Sequence, residues 1–267
     1  MHLTPRYLAG NAGRAWAFAC MLVLPRLLFA ETLLSENWEG YSNGATPSGW
    51  AIWSGSTPGA VGSVTVTDTL HSPFEPSGTN SVLIAGIAES GPSFSYHFST
   101  TTTSALSIGF DFYLPSTGAG VLPSFGLGNS SGTSGIMLNL TNAFVETAPN
   151  IVNQGASWNT GDVITSSQTN KWFHVEIIAP PATVMKQQYT ITVTPDGGNS
   201  VTVSALNFRN AIDDYGRINF SWNSTNGTGS MYIDNIVITA IPEPATAALF
   251  VLIPAALFAW LRRRNRI

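Results

Sequence analysis

The apolar residues in the middle of the chain alternate with polar or small ones at a period of two. Ile108, Phe110 and Phe112 follow this pattern, and residues 173–177 repeat it. Successive side chains of a strand point to opposite faces of a sheet, so such a segment buries one face and exposes the other. No stretch between positions 31 and 241 sustains the 3.6-residue period of an amphipathic helix. The pattern therefore predicts an all-β domain.

Turn-forming residues divide this region into about a dozen strands. The clearest pair is 189–194 with 201–205, which the residues Asp196-Gly197-Gly198-Asn199 join as a hairpin. Further strands are predicted at 61–69, 81–85, 93–98, 107–114, 121–127, 135–140, 172–177, 217–222 and 230–239. Many short strands separated by Gly, Asn, Ser and Pro favour an antiparallel two-sheet sandwich of jelly-roll type. We expect one such domain over residues 31–240, because no linker interrupts it.

The first thirty residues have the organisation of a secretory signal peptide. Two arginines precede an apolar run at 15–24, and Ala30 offers a cleavage site. Arg26 makes the apolar run shorter than in most signal peptides, so an uncleaved N-terminal anchor is the alternative. The signal peptide is favoured, because the run is well short of the ~20 residues of a membrane-spanning helix. Cys20 is the only cysteine, and it fits a lipoprotein site poorly because the apolar run continues past it. Cleavage after Ala30 leaves a mature chain without disulfides.

Three parts follow one another at the C-terminus. Pro242-Glu243-Pro244 comes first, an uncharged apolar run over 245–261 comes second, and Arg262, Arg263, Arg264 and Arg266 come last. At ~1.5 Å per residue a helix over the apolar run reaches roughly 25 Å, enough to cross a membrane. The arginines should stay in the cytoplasm by the positive-inside rule, which places the preceding domain outside. Physical reasoning alone predicts a C-terminal transmembrane helix.

The same tail resembles the PEP-CTERM sorting signal, whose three parts occur in this order. The resemblance covers residues 242–267. It implies export through the inner membrane and transient anchoring by the helix. An exosortase-type protease would then cut near Pro-Glu-Pro, and the body would reach the cell surface or the extracellular space. Pro242, Glu243 and Pro244 would be the recognition element and the arginines the stop signal. A plain single-pass membrane anchor is the alternative.

Charge is distributed unevenly along the chain. The net charge of −4 includes seven basic residues in the two terminal segments, so positions 31–241 hold four basic and fourteen acidic residues, a formal charge of −10. Nucleic acids and polyanionic glycans bind basic surfaces, which this body lacks. We therefore exclude nucleic acid as a partner, whereas a neutral extracellular polysaccharide is compatible with the composition.

Three segments resemble parts of known secreted sandwiches. Residues 33–40 and 50–53 are similar to the start of carbohydrate-binding jelly rolls, in which an acidic residue, a glycine and a tryptophan follow the first strand. Residues 171–177 resemble the Trp-aromatic-His-Val strand of laminin-G and concanavalin-like domains, and 231–238 resemble the closing strand of both groups. The body is thus similar to a concanavalin/laminin-G-like or a galactose-binding-like sandwich, and both families stay open.

Candidate catalytic residues are sparse and scattered. A glycoside hydrolase needs two carboxylates about 5–10 Å apart, yet Asp111 and Glu176 each stand alone on their strands. His71, His97 and His174 lack the spacing of a zinc site. We expect a protein that is not an enzyme, with no catalytic residue.

The family resemblance also implies binding residues. A structural calcium ion would be held by Glu36 and Glu39 near the first strand and by Asp234 in the last, since these strands lie side by side in such sandwiches. The alternative is a solvated acid pair and an aspartate that orients the last strand. Exposed tryptophans stack on sugar rings. Trp158, in a loop, is the first candidate for stacking, and Trp172, on the alternation face of His174, is the second.

Three functions remain for the body. The first is a structural or adhesive module of an exported surface or matrix protein, and the second is a carbohydrate-binding module of the same fold. The third is a glycoside hydrolase whose carboxylates meet only in the folded chain. A groove lined by tryptophan and a carboxylate would favour binding, two facing carboxylates would favour hydrolysis, and a smooth polar surface would favour a structural role.

Overall fold

The computed structural model describes residues 30–53, 62–75, 77–86, 92–115, 121–140, 150–153, 162–165, 170–224 and 229–242. One compact unit spans Thr32–Ala240. The other unit consists of Met1–Glu31 and Ile241–Ile267, and the structure describes four of its residues: Ala30, Glu31, Ile241 and Pro242. The predicted signal peptide and the predicted C-terminal helix therefore lie outside the described residues.

Within the described ranges, no helix is long and apolar enough to span a membrane.

The described residues form fifteen strands and belong to an all-β fold. The strands are β1 (Glu31–Glu36), β2 (Ala51–Trp53), β3 (Ser63–Thr67), β4 (Ser81–Gly86), β5 (Ser93–Thr102), β6 (Ala105–Tyr113), β7 (Val121–Gly128), β8 (Ser134–Asn139), β9 (Asn150–Asn153), β10 (Asp162–Thr165), β11 (Trp172–Ala179), β12 (Gln188–Pro195), β13 (Val201–Asn207), β14 (Tyr215–Ser224) and β15 (Gly229–Ile241).

The strands form two sheets. The eight-stranded sheet has the order β13-β12-β11-β6-β15-β4-β3, with β1 also paired to β15. The seven-stranded sheet has the order β10-β9-β8-β7-β14-β5-β2. Neighbours such as β11 with β6 and β14 with β7 pair in antiparallel register. The predicted antiparallel two-sheet sandwich is confirmed, and so is the expectation that the first and last strands lie side by side.

The core lies between the inner faces of the two sheets. Phe110 of β6 stacks on Phe125 of β7 with ring centroids 4.7 Å apart, and it meets the edge of Phe220 of β14 at 5.3 Å. All three rings are fully buried. Burying a side chain of this kind stabilises the fold by about 1.5–3 kcal/mol, so this contact between the sheets is a substantial part of the core.

The alternation found the long strands and missed the shortest ones. In β11 the buried residues Phe173, Val175 and Ile177 alternate with the more exposed His174 and Glu176, as the sequence predicts. The strands β2, β9 and β10 have only three or four residues. Segments of that length hold too few alternating positions for a period to be visible.

Candidate functional site

A β-bulge in β15 prepares the site. Ile233 and Ile236 are both fully buried in the core although three positions separate them, so the alternation shifts by one residue. Asn235 takes up the extra residue with a φ of 51°, in the left-handed region that asparagine tolerates. Asp234 and Asn235 are therefore adjacent residues that both make polar contacts beside β6.

Asp111 is the centre of a buried polar network on the outer face of the eight-stranded sheet. It alternates with the core residues of β6 and is fully buried. Its Oδ2 accepts hydrogen bonds from Ser72 Oγ at 2.6 Å and from Asn235 Nδ2 at 2.7 Å. Its Oδ1 lies 2.5 Å from His174 Nδ1, because the register of β6 and β11 places these residues opposite each other. The carboxylate is thus held by three partners from three parts of the chain.

Asp234 is a second buried carboxylate beside this network. Its Oδ2 accepts a hydrogen bond from the Ser72 backbone N–H at 3.0 Å, and its Oδ1 accepts one from the Asn235 N–H at 2.8 Å. Burial raises the pKa of this carboxyl to about 7 against the two backbone hydrogen bonds, and the charges of Asp111 and Glu75 add to the rise. Ser72 therefore bridges both carboxylates and fixes the loop that follows β3 onto the sheet.

His174 connects the buried network to solvent. Its Nδ1 faces Asp111, and its Nε2 lies 3.7 Å from Glu176 Oε1 at a side chain that is 30% exposed. The hydrogen bond to Asp111 raises the pKa of the imidazole above its ordinary value, although burial acts in the opposite direction. Ser72 donates its hydroxyl to Asp111 and not to His174. The three residues consequently do not form the Ser-His-Asp relay of a hydrolase, in which the serine contacts the histidine.

A pocket of about 330 Å³ opens next to this network. One wall comes from the end of β1, a second from the loop after β3, and the floor from the sheet; the lining includes Glu36, Asn37, Phe74, Glu75, Asp111, His174 and Asn235. The Phe74 ring is 36% exposed and lies 5.5 Å from the His174 ring. The pocket therefore combines one open aromatic face with carboxylates, amides and an imidazole.

The three residues predicted to share a calcium ion do not share one site. Glu36 accepts a hydrogen bond from the Trp38 N–H, and Asp234 is held by two backbone amides. Glu39 accepts three hydrogen bonds from Thr79 and Asn80, which lower its pKa although burial opposes this. Across the part of the chain that the structure describes, no group of three His, Cys, Asp or Glu side chains is placed to hold a metal ion. Each carboxylate instead accepts at least one hydrogen bond from a nearby loop or turn.

The predicted sugar-stacking residues have different outcomes. Trp158 lies outside the described residues, so its exposure stays a prediction. Trp172 is only 5% exposed, and its ring packs 5.6 Å from that of Tyr113. Contrary to the expectation, a sugar could not stack on Trp172 without displacing its neighbours. The aromatic residue that is open beside a pocket is Phe74, which the sequence analysis did not select.

Most residues of the predicted sorting signal also lie outside the description. Of Pro242, Glu243, Pro244, Arg262, Arg263, Arg264 and Arg266, the structure describes only Pro242, directly after β15.

Asp111 and Glu176 each stand alone on their strands, as the sequence shows, but the fold brings Asp111 into contact with His174 on the neighbouring strand. Asp111 and His174 are 63 positions apart in the chain but face each other across two adjacent strands. The pattern within one strand does not show which residues face it from the neighbouring strand, and that is why this contact was not predicted. One feature of the sequence does indicate this contact. Asp111 and His174 each alternate with the apolar core residues of their strands, so both side chains belong to the face that points away from the core.

The outer face of the seven-stranded sheet is a second polar surface, made of small side chains. Asn219 Oδ1 accepts hydrogen bonds from Ser93 Oγ at 2.7 Å and Ser95 Oγ at 2.8 Å. Next to them, the hydroxyls of Ser124 and Ser221 are 2.6 Å apart. These contacts join β5, β14 and β7 through hydroxyls and an amide.

Comparison with known proteins identifies the fold. No protein-family model matches the chain, and no curated protein matches it. The PL-14 alginate lyase from Aplysia kurodai is 14% identical, with 79% of this chain and 100% of that chain covered and a TM-score of 0.52. A carbohydrate esterase from the Shiga toxin-encoding bacteriophage phi24B is 16% identical, with 79% and 99% covered and a TM-score of 0.48. Lectin II from Ulex europaeus is 11% identical, with 79% and 100% covered and a TM-score of 0.49. The likeness to the lyase shows a shared two-sheet β-sandwich fold.

Proposed function

We propose that this chain is an exported, non-enzymatic carbohydrate-binding protein that acts as an adhesive module at the cell surface or in the matrix. The observation that carries the proposal is the pocket beside Phe74. A sugar ring has an apolar C–H face and a rim of hydroxyls, so it suits a site with one aromatic face and several hydrogen-bonding groups. Phe74 supplies the face, and Asn37, His174 and Asn235 supply polar groups around it.

The state of the polar network supports binding over catalysis. Asp111 is fully buried and occupied by three partners, so it holds the floor of the pocket in place. The nearby Ser72 hydroxyl donates to Asp111 and is thereby turned away from the role of nucleophile. We therefore assign the network a positioning role: it fixes His174 and the loop that carries Phe74.

Glycan binding can be tested with the full chain purified in a detergent that has no sugar headgroup. We expect the chain to bind at least one neutral or amine-bearing oligosaccharide on a glycan array. Phe74→Ala should weaken that binding about tenfold, because stacking on the ring is lost. Met185→Ala is the matched control, since Met185 is a fully exposed apolar side chain outside the pocket. Binding to no glycan, or equal affinity for Phe74→Ala, would contradict the proposal.

We also propose that the tail is a PEP-CTERM signal that an exosortase-type protease processes after export. The support is the order of its parts: Pro-Glu-Pro, an uncharged apolar run of helical length, and terminal arginines. Before processing, the apolar run would anchor the chain in the membrane. Mass spectrometry of the mature protein should find a C-terminus close to Pro244. A chain that still ends at Ile267 in cells with the sorting protease would refute this, and cells without the protease are the control.

A further inference from the structure

The charge of the pocket limits what it can bind. Its lining contains three carboxylates, Glu36, Glu75 and Asp111, and one imidazole, and no lysine or arginine is among the described residues that line it. The lining therefore keeps a formal charge of −2 even when His174 is protonated. Positions 31–241 as a whole, these three carboxylates included, carry a formal charge of −10. A ligand with a positive charge is attracted to such a site, and an anionic ligand is repelled.

We propose that the pocket recognises a glycan through a protonated primary amine, as carried by a deacetylated hexosamine. The inference rests on the proposed glycan-binding function and names its ligand class.

Two carboxylates in the pocket are available for an ammonium group. Glu36 uses Oε1 to accept the Trp38 N–H, and Glu75 uses Oε1 for a long contact of 3.4 Å with Asn37 Nδ2. Among the described residues, no donor contacts Oε2 of either glutamate. An ammonium has three N–H donors and no acceptor, so free carboxylate oxygens are the partners that it requires. The resulting charge-assisted hydrogen bonds are stronger than those that a neutral hydroxyl forms.

The position of Phe74 fits the rest of such a ligand. Phe74 precedes Glu75 in the chain, and both line the pocket. An aromatic face next to a carboxylate can therefore contact a sugar ring while the carboxylate takes its amine, and the ring also attracts the cation directly. An N-acetylated hexosamine lacks the charge and offers a single amide N–H in place of three donors. The pocket should discriminate between the two forms of one sugar.

A metal ion fits this negatively charged pocket less well than an amine does. Divalent cations need several ligating side chains at once, and no group of three acidic, histidine or cysteine side chains in the described ranges is placed to provide them. An amine needs only hydrogen-bond acceptors, which Glu36 and Glu75 supply from two walls of the pocket. The geometry thus favours an organic cation.

The test uses three β-1,4-linked tetrasaccharides that differ only at carbon 2, which carries an amine, an acetamide or a hydroxyl. Binding to the full chain is measured by calorimetry at about pH 6, below the ~7.7–8.0 pKa range of an α-amino group. We expect the amine form to bind about tenfold more tightly than the other two, as a charge-assisted hydrogen bond predicts. This advantage should shrink when the salt concentration rises from about 0.01 M to about 1 M, because the screening length falls from ~30 Å to ~3 Å.

Charge-neutralising variants place the effect in the pocket. Glu36→Gln and Glu75→Gln keep an acceptor oxygen and remove one negative charge each, and either should abolish most of the preference for the amine form. Asp196→Asn removes the same charge at the exposed turn between β12 and β13 and should leave the preference unchanged. If one glutamine variant fails to fold, the other variant and the salt dependence decide the question.

The possible outcomes separate this inference from the proposed function. Equal binding of all three sugars, weakened by Phe74→Ala, leaves glycan binding standing and overturns the amine preference. An amine preference that survives both glutamine variants overturns the assignment to the pocket. Equally tight binding of tetralysine overturns the sugar as the recognised class and indicates a cationic peptide. Binding of no sugar overturns both proposals.

Discussion

Replacing Asp234 by asparagine should change how the stability of the protein depends on pH. The folded chain keeps the proton of Asp234 up to a pKa of about 7, whereas the ordinary value of this carboxyl is 3.8. Between these values the unfolded chain binds fewer protons than the folded one. The free energy of unfolding therefore falls as the pH rises through this window.

The size of the effect follows from the same two values. A shift of one pKa unit corresponds to 1.36 kcal/mol, so a rise from 3.8 to about 7 costs the folded wild type about 4 kcal/mol once the pH is well above 7. Asparagine has no proton to lose in this range. Its side chain has a single oxygen to accept the N–H groups of Ser72 and Asn235, whereas the carboxyl group has two, which should cost about 1–3 kcal/mol.

The two stability curves should consequently cross. At about pH 4, where the wild type has lost little of this free energy, it should be the more stable, and at about pH 8 Asp234→Asn should equal or exceed it. Guanidinium unfolding followed by tryptophan fluorescence measures both, since Trp38 is fully buried. His174 also has a raised pKa, so its contribution is present below its unfolded value and is lost as the pH rises through the folded one. That background is common to both proteins and cancels in their difference.

A constant difference between wild type and Asp234→Asn from about pH 4 to about pH 8 would refute the reasoning. It would mean that the two backbone amides hold the carboxylate ionised in spite of its burial. Asp196→Asn, at an exposed turn, is the control and should give a difference close to zero throughout.

Two further substitutions test the polar network around Asp111 and the packing of core residues against Gly135. Asp111→Asn should destabilise the protein by about 3 kcal/mol or more, since it breaks a buried charged contact. It should also return the His174 pKa toward its ordinary value, which an NMR titration measures. An unchanged titration would contradict the inference that Asp111 raises this pKa. Gly135→Ala should cost about 1–3 kcal/mol in denaturant unfolding, because the new Cβ would lie 2.6 Å from Ile212 Cδ1. Gly40→Ala meets nothing within 4 Å and is the control, so equal stability of the two alanine variants would contradict the packing argument.

The sequence predicted the elements of this fold better than their partners. The alternation of Ile108, Phe110 and Phe112 is local, and each of these side chains faces the core as predicted. A strand can be recognised in this way because consecutive residues point to its two faces in turn, so a short segment shows which face is apolar. Which strand lies next to it depends on the whole chain, and that is why the contact between Asp111 and His174 escaped prediction.

The remaining errors have local physical reasons. Trp172 shares the parity of His174, but it lies at the start of β11 where the Tyr113 ring covers it. The alternation predicts which face of the sheet a side chain lies on, but it does not predict whether a neighbouring side chain covers it.

The bulge at Asn235, by contrast, could have been predicted. Ile233 and Ile236 are three residues apart within an apolar strand, and this spacing indicates an extra residue between them.

The position of β15 has a consequence for how the chain is made. Among the described strands it is the last in chain order, yet it lies between β6 and β4 and also pairs with β1. β6 ends at Tyr113 and β15 begins at Gly229, so a growing chain must carry β6 for a long interval before its neighbour exists. Pairing over such sequence distances is slow to form and leaves strand edges open in the meantime. A chain that stops before β15 therefore has a gap between β6 and β4, in the middle of its larger sheet.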